Sequence, residues 1–378
     1  MRMNKLLSRL SLLMSFSFML FLESCKDETY FSLKTRDVDW NVDSKNVIDK
    51  QIIDVDLLGA NNIYVCDSLL LITSNNPAAQ LKVFSTNTFS LLGSFCTEGR
   101  AKNEFINPVN NGQQFYHNSR NEIIFPFIDN RFNVKEVNIS QSLMQKSTIV
   151  DECVKCLDLI KGNFQILDND INKTFDNDYG ALDEKKLYTA SKYYIKSKDG
   201  KIEKELNVFP QPLKFTEGGS LIPYYIGAIY KHPEKNIIVQ PLQYINYLLY
   251  FDLDNENYFA VHKTGSLSFN DDVSSITDVK MCFGSASVTS EYIYVMYDSN
   301  DNSKDPGMTD LLVFDWNGTK VAEVKLNADV YRIAFDEIHS RLYGLGNIEG
   351  NADECLFSFD FKELMSSLNK TGLNLFGH

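Results

Sequence analysis

The sequence predicts an all-β fold, a six-bladed β-propeller with four-stranded antiparallel blades. Three observations predict it. First, one unit recurs six times: an apolar strand that ends in a polar turn and is followed by a second short strand. It reads VFSTNTF (83–89), EVNISQSL (136–143), YIKSKDGKI (194–202), YFDLDNENY (250–258), VFDWNGTKV (313–321) and SFDFKEL (358–364). The matching apolar residues are Phe84, Val137, Ile195, Phe251, Phe314 and Phe359, spaced 53, 58, 56, 63 and 45 residues apart. Four short strands in roughly 45–55 residues make one propeller blade. Second, Asp199-Gly200 and Asn317-Gly318 are hairpin signals, expected here as type I′ turns. Third, the chain holds 26 Phe and 19 Tyr, residues that suit strands better than helices.

Further strands lie upstream of most copies. They are NIYVCDSLLLIT (62–73), NEIIFPFI (121–128), KNIIVQPL (235–242), EYIYVMYD (291–298) and VYRIAFDEIHSRLYGLG (330–346). A two-domain sandwich also has short strands at regular spacing, but it does not explain one unit recurring six times. The sixth copy runs into FKELMSSLNK, which reads as a short helix and supplies no outer strand. Ring closure therefore falls to the N-terminal side. Either QIIDVDLLG (51–59) or SLKTRDVDW (32–40) alternates well enough to complete blade six.

The first 24 residues read as a leader. Arg2, Lys5 and Arg9 precede an apolar run, Leu10–Leu22, broken only by serines. At 13 residues the run is short of the roughly 20 that span a bilayer. Leu22-Glu23-Ser24-Cys25 then resembles the bacterial lipobox, in which the cysteine is diacylated and becomes the new N-terminus. Glu23 departs from the small or apolar residue usual there. Lys26-Asp27-Glu28 resembles the Lys-(Asp/Glu)₂ export signal of surface lipoproteins of the Bacteroidota. Together these imply a signal peptide (1–24), a lipidated tether (25–31) and a propeller domain (32–378), held at the outer membrane through Cys25 and exposed on the cell surface, the alternative being a periplasm-facing protein. Several acyl chains anchor durably, at about 0.8 kcal/mol per buried CH₂.

Composition narrows the partners. Net charge is −13, and it becomes −15 once residues 1–24 are removed. Such acidity disfavours nucleic acid and anionic lipid surfaces. Beyond Cys25, cysteines 66, 96, 153, 156, 282 and 355 are too scattered for a small disulfide scaffold. Cys153-Val-Lys-Cys156 is a lone CxxC without a second half, so a local disulfide and free thiols both remain open.

The stretch Phe95–Phe105, FCTEGRAKNEF, resembles the turn F-G-x-x-G-x-G-P-x-E-F of TolB-like six-bladed propeller lipoproteins of the Bacteroidota. Phe95, Gly99, Glu104 and Phe105 match. Cys96 stands in place of a Gly, and Ala101-Lys102 replace Gly-Pro. The resemblance implies a fold and an envelope location; most members have no assigned activity. In this turn Gly99 is expected at positive φ, Phe105 as an inter-blade wedge, and Glu104 as a cap for backbone amides or a partner of Arg100.

Motifs for hydrolases of the G-x-S-x-G, P-loop and H-E-x-x-H types are absent. The function expected is therefore binding, of an envelope protein or a glycan, with no catalytic residue or cofactor assigned. Ligand-binding candidates are Arg100 and Glu104 at the blade turn, and Tyr224 and Tyr225 as a stacking platform with Tyr230 nearby. The alternative is a calcium-dependent, lactonase-like hydrolase with an axial site. Calcium wants six to eight oxygens. Asp168, Asp170, Asp176 and Asp178, or Asp298 and Asp301, are suitable residue types, expected on solvated insertion loops.

Overall fold

The structure, a computed structural model, describes residues 31–40, 46–110, 112, 114–129, 133–155, 163–167, 173–178, 187–188, 192–197, 199–209, 213–214, 226–266, 281–298, 307–348 and 354–373. Six sheets form the six blades of a propeller. Blade 1 comprises Ala60–Cys66, Leu69–Ser74, Leu81–Ser85 and Leu91–Phe95. Blade 2 comprises Tyr116–His117, Ile123–Asp129, Asn133–Asn138 and Val150–Lys155. Blade 3 comprises Asn163–Ile166, Lys173–Asp178, Lys192–Ser197 and Ile202–Leu206. Blade 4 comprises Tyr230–Lys231, Ile237–Pro241, Tyr247–Asp252 and Asn257–Lys263. Blade 5 comprises Phe283–Val288, Tyr292–Tyr297, Thr309–Asp315 and Lys320–Leu326. Blade 6 takes Asp329–Asp336, Arg341–Asn347 and Glu354–Asp360 from the C-terminal part of the chain.

The six repeat residues read from the sequence all fall on the third strand of their blades, and all six are buried. Alternation along these strands places them between blades, where they build the inter-blade cores. Phe84 joins the cluster at the blade 6–blade 1 boundary, and Phe359 the one between blades 5 and 6.

The N-terminal segment closes the ring and does more besides. Strand β1 (Lys34–Val38) adds to blade 4 parallel to Asn257–Lys263. Strand β2 (Val47–Ile48) adds to blade 5 parallel to Lys320–Leu326. Strand β3 (Lys50–Ile53) is the antiparallel fourth strand of blade 6. Of the two closing segments expected, then, the one beginning near residue 51 completes the ring, and 32–40 reinforces blade 4. These three strands thus cover the outer edges of three consecutive blades, which shields unpaired backbone groups there. Trp40 fixes it in place. Its indole is fully buried between blades 4 and 5, edge-on to Phe283 and Phe314 at 6.0 and 5.7 Å. Phe31 packs against Phe209 and Tyr247.

Two helices decorate the described rim. Helix α1 (Ile139–Gln145) is capped by the Asn138 side chain, which accepts from Gln141 N. Helix α2 (Lys362–Leu373) follows the third strand of blade 6, as the sequence predicts.

The two Asx-Gly hairpins differ from expectation. Only Gly200 and Gly318 have positive φ, at 80° and 81°; Asp199 and Asn317 do not. Gly200 N donates to Ser197 O and Gly318 N to Asp315 O, and the register slips beside each turn. In both, one glycine at positive φ beside a slip of the ladder makes a glycine bulge, which adds twist to the hairpin.

Candidate functional site

The first strand of each blade lines the central channel, and a side chain ties every neighbouring pair at that level. Tyr64 Oη donates to Asn110 O ahead of blade 2, and the Gln114 side chain accepts from Ile166 N of blade 3. Gln165 Nε2 donates to Ile229 O, and Ala286 N donates to Tyr230 Oη. Phe335 N donates to Ser287 Oγ. Arg332 Nε donates to Asn62 Oδ1 at 2.9 Å, which joins blade 6 back to blade 1. Buried polar groups need such partners, and here the partners also lock the ring. Burial pushes the Tyr64 phenol up to about 12 and raises that of Tyr230, so both stay neutral donors or acceptors.

Three of these innermost strands carry a β-bulge at their first residues. The ladder slips between Ala60 and Asn62 in blade 1, between Phe283 and Ala286 in blade 5, and between Val330 and Arg332 in blade 6. Bulges of this kind re-aim side chains and are frequent beside binding sites. All three open onto one cavity of about 510 Å³ at the same end of the channel. Asn62, Ser285, Tyr331 and Arg332 line it from the bulges, with Asp298 and Asp329 beside them. Apolar wall comes from Met281, Phe283, Met296 and Val109. A second cavity, of about 480 Å³, is lined by later residues of the same strands and opens at the other face. Lys231, His117 and Asp67 line it, and His117 Nε2 lies 3.0 Å from Asp67 Oδ2. Burial lowers the pKa of Lys231.

Nearby His232 is structural. Its Nδ1 accepts from Glu234 N and Lys235 N, and its ring lies 4.8 Å from that of Trp316. Burial, with Lys235 adding to it, holds its pKa down at about 4, so the ring is neutral.

The blade 1–blade 2 turn holds Arg100 and Glu104 away from both cavities. Arg100 is exposed, and Glu104 is half-buried with Oε2 accepting from Ala101 N at 2.8 Å. Phe105 is fully buried against Phe127 and Cys96, the wedge expected of it. Gly99 is needed for a different reason from the one expected. Its φ is not positive, but a Cβ there would come within 2.0 Å of Glu104 Oε2. The left-handed residue in this turn is Cys96, at φ 61°.

Buried lysines receive the segments that lead into blades 1 and 2. Lys82 Nζ donates to Asp56 O and Oδ2. Lys135 Nζ donates to Glu104 O, lies 4.6 Å over the Phe105 ring and pairs with Asp129 at 3.2 Å. These two lysines stand two residues before Phe84 and Val137, so they occupy equivalent places in the repeat.

Other expected residues separate. Tyr230 is buried between blades and borders the first cavity, and Asp176 is no loop residue: it sits on the second strand of blade 3, fully buried and paired with Lys196. Residues 25–28 (Cys25, Lys26, Asp27, Glu28), Tyr224, Tyr225, Cys156, Asp168, Asp170 and Asp301 lie outside the described residues, as does the side chain of Cys153. Cysteines 66, 96, 282 and 355 are not joined in disulfides. Burial raises the pKa of the Cys66 and Cys96 thiols. Among the described residues no three His, Cys, Asp or Glu side chains converge as a metal site.

Sequence comparison now decides the family. The model of the TolB-like 6-blade propeller-like family matches residues 60–338. The chain belongs to that family. Among solved structures it resembles a Bacteroides fragilis protein described as a candidate exported protein, with 11% identity and a TM-score of 0.51 over 86% of this chain and 98% of that one. A DUF4221 family member from Bacteroides vulgatus matches with 10% identity and a TM-score of 0.48, over 82% of this chain and 97% of that one. At such identities the likeness concerns the fold. No curated protein matches the chain in sequence. The family match spans blade 1 to the first strand of blade 6, so it takes in the three bulged strands and Arg332.

Proposed function

We propose that this TolB-like propeller is a binding module displayed on the cell envelope, taking its ligand at the bulged end of the axial channel. The single observation that carries it is the coincidence of three inner-strand bulges around one cavity of about 510 Å³. Ligand pockets run from roughly 300 to 1,000 Å³ and combine apolar wall with a few fixed polar groups. The reading needs no catalytic residue. The ligand belongs to an envelope partner, protein or glycan.

The address rests on the leader and on Cys25 followed by Lys26-Asp27-Glu28, and the candidate exported protein of B. fragilis shares the fold. A lipid on Cys25 tethers the disc to the outer membrane, facing out. Changing Cys25→Ala releases the protein from membranes. Replacing residues 26–28 with alanine leaves it anchored but shielded from protease added to whole cells; continued cleavage there contradicts surface export.

Binding is tested by capture from solubilised envelopes on the tagged full chain, beside a Gly284→Trp variant that fills the cavity. Gly284 lies in the blade 5 bulge and lines the cavity, and a Cβ placed there comes nearest to the Met296 side chain, at 3.3 Å. Specific capture by the wild type that is lost in the folded variant supports the reading. Equal capture by both contradicts it.

A further inference from the structure

We propose that the axial cavity takes a small zwitterion: an amino acid or short peptide with free amino and carboxyl groups and apolar side chains. The inference rests on the cavity being the binding site and takes a small molecule, in place of a whole envelope protein or glycan, as what fills it.

It begins with the blade 6 bulge. In an unbroken strand, positions 329 and 332 point to opposite faces. The extra residue at Tyr331 brings Asp329 and Arg332 onto one side, and both line the cavity. A carboxylate and a guanidinium so placed would be expected to pair, yet they do not. Arg332 is instead held from behind: Nε donates to Asn62 Oδ1 and Nη1 to its neighbour's carbonyl, Tyr331 O, both at 2.9 Å. Nη2 has no partner among the described residues, and neither has the Asp329 carboxylate. One fixed positive charge and one negative charge therefore face the same space unpaired.

Several uncharged polar groups of the wall are already committed. Asn110 donates to Gln114 O and Pro126 O and accepts from Gln114 N. Thr309 Oγ1 donates to Ala328 O and accepts from Val330 N. Tyr64 and Tyr230 serve the ring of bonds between blades. A saccharide, which wants many neutral donors and acceptors, finds few on offer. A simple anion satisfies Arg332 but meets the Asp329 carboxylate, and a simple cation does the reverse. A zwitterion satisfies both charges, because charge-assisted hydrogen bonds are the strong ones and a guanidinium fixed in orientation favours a carboxylate. Met281, Met296 and Phe283 leave an adaptable apolar wall for its side chains.

The test is calorimetric titration of the purified full-length chain with leucyl-leucine. Three further probes accompany it: the N-acetyl dipeptide, the dipeptide amide, and maltose. Leucyl-leucine is expected to bind saturably, and blocking either terminus to weaken it about tenfold or more. Arg332→Gln should weaken the dipeptide about as much as amidation does, and should not weaken the amide further. Asp329→Asn should match N-acetylation in the same way. Thermal melts report that the variants fold, and Arg332→Met, which also removes the charge, takes the place of Arg332→Gln if that one does not. Absence of dipeptide binding, or equal binding of the blocked analogues, overturns the zwitterion. Should Gly284→Trp still abolish envelope capture in that event, the cavity remains the site and only the ligand class is wrong. Maltose binding that Arg332→Gln removes likewise keeps the cavity as the site and overturns the zwitterion.

Discussion

Arg332 and Asn62 meet at 2.9 Å across the seam where the last blade of the propeller returns to the first. Unlike the other inner-strand links described above, this one joins side chain to side chain, and it leaves the guanidinium aimed into the cavity. Asn62→Ala should cost about 1 kcal/mol in urea unfolding, the worth of one hydrogen bond. Asn62→Asp should keep the melting temperature near that of the wild type while its carboxylate draws Arg332 into an ion pair. Capture at the cavity should then fall. Unchanged capture by the folded Asn62→Asp protein would deny Arg332 its role.

Lys135 and Asp129 form a buried pair, with side chains 3% and 0% exposed. Removing one partner strands the other charge, which typically costs about 3–5 kcal/mol, whereas removing both is far milder. Lys135→Met should therefore be markedly destabilising, and adding Asp129→Leu should restore part of the loss. The double-mutant cycle in denaturant decides it; additive losses would mean that the pair does not couple.

Cys96 holds a left-handed conformation that costs an L-residue roughly 1–2 kcal/mol. Cys96→Gly relieves that strain, although it empties a small buried volume. Cys96→Ala removes the sulfur and keeps the strain. The glycine variant should be about 1 kcal/mol more stable than the alanine variant, and Cys96→Val, β-branched, should be the worst of the three. Equilibrium unfolding of the set orders them.

Acid should unfold the protein in two windows. His232 has its folded pKa lowered to about 4, below its ordinary 6.5. The unfolded chain binds the proton first, so stability is lost as pH falls from about 6.5 towards 4. Glu122 is held down at about 2 by hydrogen bonds from Asn118, Gln141 and Asn138, with Arg120 adding to them. Its contribution is present above about 4.5 and is lost as pH falls towards 2. His232→Asn, whose amide oxygen takes the place of Nδ1, should flatten the upper window, and Glu122→Gln the lower. Melting temperatures across roughly pH 2–7 show both.

Much of this fold is legible in the sequence because one residue repeats in one environment. The six residues from Phe84 to Phe359 lie between blades, so burial imposes the same apolar type at each. The left-handed residue of the blade turn is missed: the motif points to Gly99, and the positive φ lies at Cys96, where the family turn carries glycine. The site is harder to see. Arg332 stands in a stretch, Val330-Tyr331-Arg332-Ile333, that reads as an ordinary strand, and only a break in its alternation hints at the bulge. The charge of Arg332 becomes informative once the ladder slips and Asn62, 270 residues earlier, takes its Nε. Such pairing across the ring seam leaves no local pattern. The Arg100–Glu104 turn stands out for the opposite reason: its motif is conspicuous, and its chemistry is spent on the turn itself.

The most direct measurement of the central claim is hydrogen exchange on the full chain, with and without its captured envelope ligand. Binding at the bulged end predicts added protection in peptides covering 60–64, 281–286 and 329–332. Peptides from the opposite mouth, 114–117 and 231–234, should be unaltered. Protection confined to that opposite mouth, or to the outer rim of the blades, would contradict the account.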